Sequence, residues 1–158
     1  MEGDGNGWAR CGLGHRHWGV HGAAGLMLVR PVTREAKNEV LLQHRAAWTS
    51  DGDTWGIPGG ARDSHETPVQ AALREAAEEA GIVADDVEVT GLWHDDHDGW
   101  EYVTVVASAL ADIEVVANAE STELRWVPSV EVDSLNLHPG FAKSWPRVRS
   151  YLLDEQPH

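Results

Sequence analysis

The chain carries a single cysteine, Cys11, so no disulfide can close within it, and a reducing cytoplasm is the expected setting. No apolar run approaches the roughly 18 residues that a membrane-spanning helix requires. The opening stretch, MEGDGNGWARCGLGHRHW, offers no apolar signal region. Basic side chains are scarce: 12 Lys and Arg stand against 26 Asp and Glu, a formal net charge of −14. Such a surface repels nucleic-acid polymers and anionic membranes, both of which are bound through clustered Lys and Arg. A small anionic substrate stays open if a bound cation reverses the local field. There is no internal repeat and no low-complexity block beyond the glycine-rich start.

What is present suits one domain. At 158 residues and 42% hydrophobic content, one core of useful size can form. Residues 1–18 read as a flexible segment and residues 19–155 as the domain. Residues 21–31 (HGAAGLMLVRP) and 38–45 (NEVLLQHR) read as strands separated by a polar turn at 33–37. A loop at 48–53 leads to a short extended piece, 55–60, ended by glycines. Residues 87–93 and 100–110 form two more strands joined by a polar turn at 94–99, and 124–127 a further short one. Residues 139–153 read as a C-terminal helix, with Phe141, Trp145, Val148 and Leu152 at helical spacing. Strands mixed with two sizeable helices imply an α/β fold, its sheet covered on both sides.

The central helix has the clearest ends. Thr67-Pro68-Val69-Gln70 supplies a cap, a proline at the first helical position and the glutamine of a capping box, and Gly81 supplies the left-handed stop. At about 100° per residue with Glu75 at zero, Glu78 falls near −60° and Glu79 near +40°. Val69, Ala72, Leu73, Ala76 and Ala80 fall between about 60° and 160°, a packed stripe narrow enough for close approach to a sheet.

The acidic stripe opposes its own helix. Like charges three or four residues apart cost roughly 0.2–0.5 kcal/mol per pair. The last turn adds roughly 0.3–1 kcal/mol for each anion at the negative end of the helix dipole. Only Arg74 offers a local counter-charge. Conflict of this kind is expected mainly at functional sites, and a divalent cation held by carboxylates resolves it. A solvated charged face is the plain alternative, and on chemistry alone both readings stand.

Gly60, Glu66, Arg74, Glu75, Glu78, Glu79, Gly81 and Ile82 match the Nudix box, G-x5-E-x7-R-E-U-x-E-E-x-G-U, without a gap. Ala76 stands where the box usually has a bulkier apolar residue, and Pro58-Gly59 ahead of it also looks like the family. On these residues the chain resembles the Nudix hydrolases, over roughly residues 20–153. The resemblance implies a Nudix-type α/β/α sandwich with a mixed β-sheet. It implies hydrolysis of a nucleoside diphosphate linked to another group, with Mg²⁺ or Mn²⁺. By motif position Glu78 and Glu79 hold metal together with the Gly59 carbonyl. Glu75 is a further ligand or the general base, Arg74 orients it, and Glu66 ties loop to helix. Family members also recruit an acid from outside the box; Glu120 is the choice here, with Glu123 and the acids of 94–98 as others. Arg45, Arg62 and Gly60 are the expected substrate contacts.

The substrate is first a (d)NTP, or an oxidised one such as 8-oxo-dGTP, reached by elimination. ADP-ribose-type enzymes carry a proline downstream of the box where this chain has Asp98. Dinucleoside-polyphosphate enzymes show a tyrosine in this region, and Tyr102 keeps that alternative open. Trp48, Trp55 or Trp100 could stack on a base, or equally belong to the core. A non-catalytic nucleotide-binding module fits poorly with a full set of box acids. An isopentenyl diphosphate isomerase needs a site cysteine, for which Cys11 is badly placed. Family members often dimerise, and nothing in the sequence requires a homodimer.

Other signals carry less. The 94–99 turn fails as a calcium loop because Val105 stands where a glutamate is needed. His94 and His97, like His15 and His17, read as exposed. The GDGNG glycines precede no strand–helix unit and form no dinucleotide fingerprint. Residues 137–141 (LHPGF) read as a turn into the last helix.

Overall fold

A computed structural model describes residues 5, 7–10, 16–32, 37–47, 52–96, 100–110, 113–116 and 121–154. In chain order these form β1 (Trp8–Arg10), β2 (Arg16–Trp18), β3 (Ala23–Val32), β4 (Lys37–Arg45), β5 (Trp55–Gly56) and β6 (Gly59–Ala61). Helix α1 (Pro68–Ala80) follows, then β7 (Val87–Asp96), β8 (Glu101–Ala109), β9 (Ser121–Pro128) and α2 (Pro139–Asp154). Short 3-10 turns at Ala84–Asp86 and Ser129–Ser134 lead into β7 and towards α2. The strands and helices read from the sequence are all found, with ends moved by a few residues. Among the described residues, no helix is long and apolar enough to cross a membrane.

One seven-stranded sheet carries the fold, with β5-β4-β3-β8-β7 as its main path. It is mixed: β3 and β8 run parallel, while its other pairings are antiparallel. Its centre is forked. β4 pairs with β3 only through Lys37–Val40 and then with β5 through Gln43 and His44. β3 in turn gives its free edge, Ala23–Gly25, to β6. The β5–β6 segment is thus wedged into the split between two central strands.

Each face has its own core. Leu26, Leu28, Leu41, Val103 and Val105 meet α1 through Ala71, Ala72, Ala76 and Ala80, with Val69 and Leu73 partly buried beside them. Those alanines are fully buried, so the helix backbone lies close against the sheet, as the narrow stripe predicts. On the opposite face Met27, Val29, Val40, Leu42 and Val106 meet Phe141, Trp145 and Val148 of α2. The ends of α1 form as read. Thr67 Oγ1 accepts the Gln70 amide at 3.1 Å and Gln70 Oε1 accepts the Thr67 amide at 2.9 Å. Gly81 closes the helix at φ 70°, a conformation that glycine adopts without strain.

The glycine-rich start holds more order than its composition suggests. β1 and β2 pair antiparallel, Trp8 opposite Trp18. Gly5 then donates its amide to Asp63 Oδ1 at 2.8 Å, and Val20 donates to the Gly5 carbonyl at 2.8 Å. The segment is thereby tied to the loop that precedes α1, through backbone groups that composition does not reveal.

Candidate active site

The site forms where the fork meets α1. Antiparallel pairing alternates the direction in which backbone groups point. Leu26 donates its amide to the Pro58 carbonyl at 2.8 Å, so the adjacent pair, Gly25 and Gly59, turns its amides and carbonyls away from the ladder. For Gly59 that outward side faces α1, where Glu79 Oε2 accepts its amide at 2.8 Å. The Gly59 carbonyl shares that side of the strand. A buried carboxylate, 9% exposed, therefore lies next to a backbone oxygen that β3 does not use.

Arg74 organises the remaining acids. Its Nε and Nη2 form a two-pronged pair with Glu66, at 2.8 and 2.9 Å, and Nη2 also donates to the Ala61 carbonyl at 3.0 Å. Its Nη1 reaches Glu75 Oε1 at 2.8 Å and lies 3.7 Å from Glu78 Oε2. Glu66 Oε1 further accepts the Asp63 amide at 3.0 Å. The hydrogen bonds from Arg74 hold the Glu66 carboxyl below its ordinary pKa, against the opposing effect of burial. Glu75 is shifted the other way. Burial dominates and raises its pKa, the charges of Glu78 and Glu66 add to the rise, and Arg74 only partly offsets it.

Glu75 and Glu78 thus share one guanidinium that already pairs with Glu66. The donors fit a hard divalent cation: two or three carboxylates and a backbone carbonyl, all oxygen. Asp63, His65 and Glu66 also bring ligand atoms within 4.8 Å of one another. There, however, both Glu66 oxygens are taken by Arg74 and one Asp63 oxygen by Gly5, which leaves less for an ion.

The structure gathers Glu66, Arg74, Glu75, Glu79, Gly59 and Gly60 into one constellation, with Glu78 at its exposed rim. Gly60 lies against Glu75: a Cβ added there would sit 2.7 Å from the carboxylate. Arg45 ends β4 at a bulge, and its charge is felt by Tyr102. Arg62 is placed differently from the expectation of a phosphate contact. Its Nε donates to the His21 carbonyl at 3.1 Å and its Nη1 to the Glu66 carbonyl at 2.6 Å, so it braces the loop. Glu123 pairs with Arg125 at 3.0 Å. Glu120, Trp48, Cys11, His15, the 33–36 turn and the 97–99 part of the next turn lie outside the described residues. Trp55 and Trp100 are core side chains: Trp55 packs against His44 and Arg125, and Trp100 donates Nε1 to the Gly19 carbonyl at 2.8 Å.

One site residue escapes a reading of the box. The Tyr102 hydroxyl lies 2.9 Å from where a Gly59 Cβ would be and also crowds Gly25. Burial, then the charges of Glu79 and Glu75, push its pKa up, so the phenol stays protonated. The glycines at 25 and 59 clear the space it fills. In the sequence Tyr102 stands out only as a tyrosine downstream of the box, and its place beside those glycines becomes readable once β3, β6 and β8 are in register.

Comparison with known proteins agrees with this geometry. The NUDIX domain family matches residues 22–148. A Mycobacterium tuberculosis protein named "Putative 8-oxo-dGTP diphosphatase 3" is 51% identical over 156 residues, covering 95% of this chain and 71% of its own. A nucleoside triphosphate pyrophosphatase/Nudix hydrolase fusion protein of Bifidobacterium longum is 44% identical over 94% of this chain and 32% of its own length. The crystal structure of the M. smegmatis Nudix hydrolase RenU superposes with a TM-score of 0.90 at 46% identity, covering 98% of this chain and 99% of that one. The chain belongs to the Nudix hydrolase family.

Proposed function

We propose that this protein hydrolyses nucleoside and deoxynucleoside triphosphates, oxidised forms such as 8-oxo-dGTP among them, to the monophosphate and pyrophosphate. The observation that carries the reading is the pairing of Glu79 with the Gly59 amide. It sets a buried carboxylate and an unused backbone carbonyl side by side at the edge that Glu75 also lines. The name of the M. tuberculosis relative supports oxidised dGTP as a substrate to test first.

In this reading Glu78, Glu79, Glu75 and the Gly59 carbonyl hold the cation, with Mg²⁺ first and Mn²⁺ second by donor type. When bound, that ion neutralises phosphate charge and lowers the pKa of water. Glu75, kept in place by Arg74 and raised in pKa by burial, accepts the proton of the attacking water. The water oxygen bonds to phosphorus, the anhydride P–O bond breaks, and pyrophosphate carries away the electron pair. Glu66 acts through Arg74 and positions it. Arg45 approaches the phosphates from the end of β4, while Arg62 and Gly60 shape the loop beneath them. A cytoplasmic nucleotide pool suits the lone cysteine.

Tyr102 favours a second reading, in which the substrate is a dinucleoside polyphosphate and the hydroxyl meets its longer phosphate chain. A screen of dNTPs, 8-oxo-dGTP, ADP-ribose and dinucleoside tetraphosphate with Mg²⁺ or Mn²⁺ separates the two. The expected result is the highest kcat/KM on a triphosphate. Turnover of none of these would overturn the hydrolase reading in favour of a binding module.

A further inference from the structure

The glycine-rich N-terminal segment reaches the candidate active site through one buried residue. Gly5 uses both of its backbone groups on parts of the chain that are distant in sequence. Its amide donates to Asp63 Oδ1 at 2.8 Å, across 58 positions, and its carbonyl accepts the Val20 amide at 2.8 Å. Two residues on, the Gly7 carbonyl accepts the Gly19 amide at 2.6 Å. The approach is close enough to require glycine: a Cβ at position 5 would overlap the Arg62 carbonyl oxygen and stand 3.1 Å from the Asp63 nitrogen.

The stretch that Gly5 grips is the one that sets Arg74. The guanidinium faces three groups from residues 61–66: the Ala61 carbonyl at 3.0 Å, the Glu66 carboxylate at 2.8 and 2.9 Å, and Asp63 Oδ2 at 3.9 Å. Its Nη1 then reaches Glu75 Oε1 at 2.8 Å. Residues 61–66 are held in turn by residues 19–22. Arg62 donates its amide to the Gly22 carbonyl at 3.0 Å and its Nε to the His21 carbonyl at 3.1 Å. Gly5 bonds to both stretches, so one short piece of backbone closes a path of hydrogen bonds that ends on Glu75.

Asp63 is the sensitive link. It is 7% exposed, and a buried carboxylate that loses a donor must find another or stay unpaired at a cost. The donor at hand is Arg74. A guanidinium drawn towards Asp63 is drawn away from Glu75, because its N–H groups are fixed in one rigid plane. The Gly5 amide therefore does more than fasten the terminus: it keeps the Asp63 carboxylate off Arg74. On the reading that Glu75 is the base of a nucleotide hydrolase, we infer that the N-terminal segment is a strap that aligns Glu75. Gly5 makes its contact, and Asp63 is the positioning residue that passes it on through Arg74.

The test compares the wild-type chain with Gly5→Ala, with a chain begun at Gly7, and with the double variant Gly5→Ala/Asp63→Asn. Gly5→Ala forces the segment off Arg62, and the shortened chain removes the same amide without a clash, so either serves if the other fails to fold. Steady-state kinetics on dGTP with Mg²⁺ are read beside hydrogen exchange of residues 60–67 by mass spectrometry. Both changes are expected to lower kcat about tenfold with KM within about twofold, as a misplaced base would, and to speed exchange in residues 60–67. Adding Asp63→Asn to Gly5→Ala should recover most of the lost kcat, because a neutral amide competes weakly for the Arg74 guanidinium. A terminus that only stabilises the fold predicts otherwise: kcat per folded molecule is unchanged, and a second substitution at a buried site recovers nothing. Wild-type kcat in a folded variant whose exchange has quickened would overturn the strap, as would exchange that does not change. A wild-type chain that turns over no nucleotide would instead overturn the hydrolase reading, and faster exchange in the variants would then leave the strap on residues 60–67 standing.

Discussion

Glu79 Oε2 and the Gly59 amide are 2.8 Å apart, although the residues are 20 positions apart in the chain and belong to a helix and a strand. The hydrogen bond does two things at once. It fixes a buried carboxylate, and it confirms which way the Gly59 peptide faces, so that the carbonyl of the same residue is presented beside it. A glutamine at position 79 can still accept this amide through its side-chain oxygen. Fold and charge at this point can therefore be separated by one substitution.

Glu79→Gln should keep the thermal midpoint close to wild type while kcat falls on the order of 10²-fold or more, as expected when a charge that stabilises the reacting phosphate is lost. Steady-state turnover with saturating Mg²⁺, alongside Mn²⁺ affinity followed by electron paramagnetic resonance, checks both halves. A folded variant with undiminished turnover would sink the mechanism.

How much of this was legible beforehand differs from element to element. The ends of α1 are local events: Thr67, Pro68, Gln70 and Gly81 specify them within a few residues, and the structure forms each as read. The acidic stripe was equally visible, because helical geometry alone places Glu75, Glu78 and Glu79 on one arc. The fork between β3 and β4 was not. It depends on which strand takes each edge, and only non-local pairing decides that. Arg62 shows the cost of ignoring this: it reads as a free cation in a glycine loop, yet the folded chain offers it the carbonyls of His21 and Glu66. Tyr102 reaches the site only through the parallel pairing of β8 with β3.

Arg74→Ala strips Glu66 of its two-pronged partner. Glu66 is 9% exposed, whereas the Arg74 side chain is 32% exposed, so solvent screening reduces the cost below that of a fully buried pair, to about 1–3 kcal/mol. For a domain of this size that lowers Tm by several degrees. Arg74→Lys should recover little, since an ammonium cannot span both carboxylate oxygens and the Ala61 carbonyl together. The pH dependence follows from Glu66, whose folded pKa lies below the usual 4.5. Its contribution is complete above that value and is lost as pH falls through the folded pKa. Urea unfolding across the acid range should therefore show wild type and Arg74→Ala converging as pH drops below about 4. A gap that stays constant in acid would mean that Arg74 stabilises the fold by packing alone.

Gly60→Ala places a methyl group 2.7 Å from the Glu75 carboxylate. The φ of Gly60 is not in the left-handed region, so alanine is tolerated by the backbone. The obstructing atoms are the free end of a side chain and can swing aside. Stability should change little, while displacement of Glu75 by about 1 Å is of a size that costs about 10²-fold in rate. Comparing Tm with kcat/KM on one preparation measures the split. A large loss of Tm with proportionate loss of activity would place Gly60 in the fold rather than in the alignment of Glu75.

Tyr102→Phe removes one hydroxyl from beside Gly59 and Gly25 and leaves the ring that fills their space. Burial and the neighbouring Glu79 and Glu75 charges hold the phenol protonated, so in the wild type it is a hydrogen-bond donor with no titration near neutrality. If it donates to a phosphate oxygen, its loss should cost about 0.5–1.5 kcal/mol, a twofold to tenfold fall in kcat/KM. That factor should be constant between about pH 6 and 9, because the group never ionises there. A pH-dependent ratio would point to an altered pKa at Glu75 or Glu79 instead of a lost donor. The same variant also weighs the two substrate readings. A loss confined to dinucleoside tetraphosphate, with dGTP turnover intact, would show that the hydroxyl serves the longer phosphate chain. An equal loss on both would place it against the phosphates that the two substrates share, next to the Gly59 carbonyl.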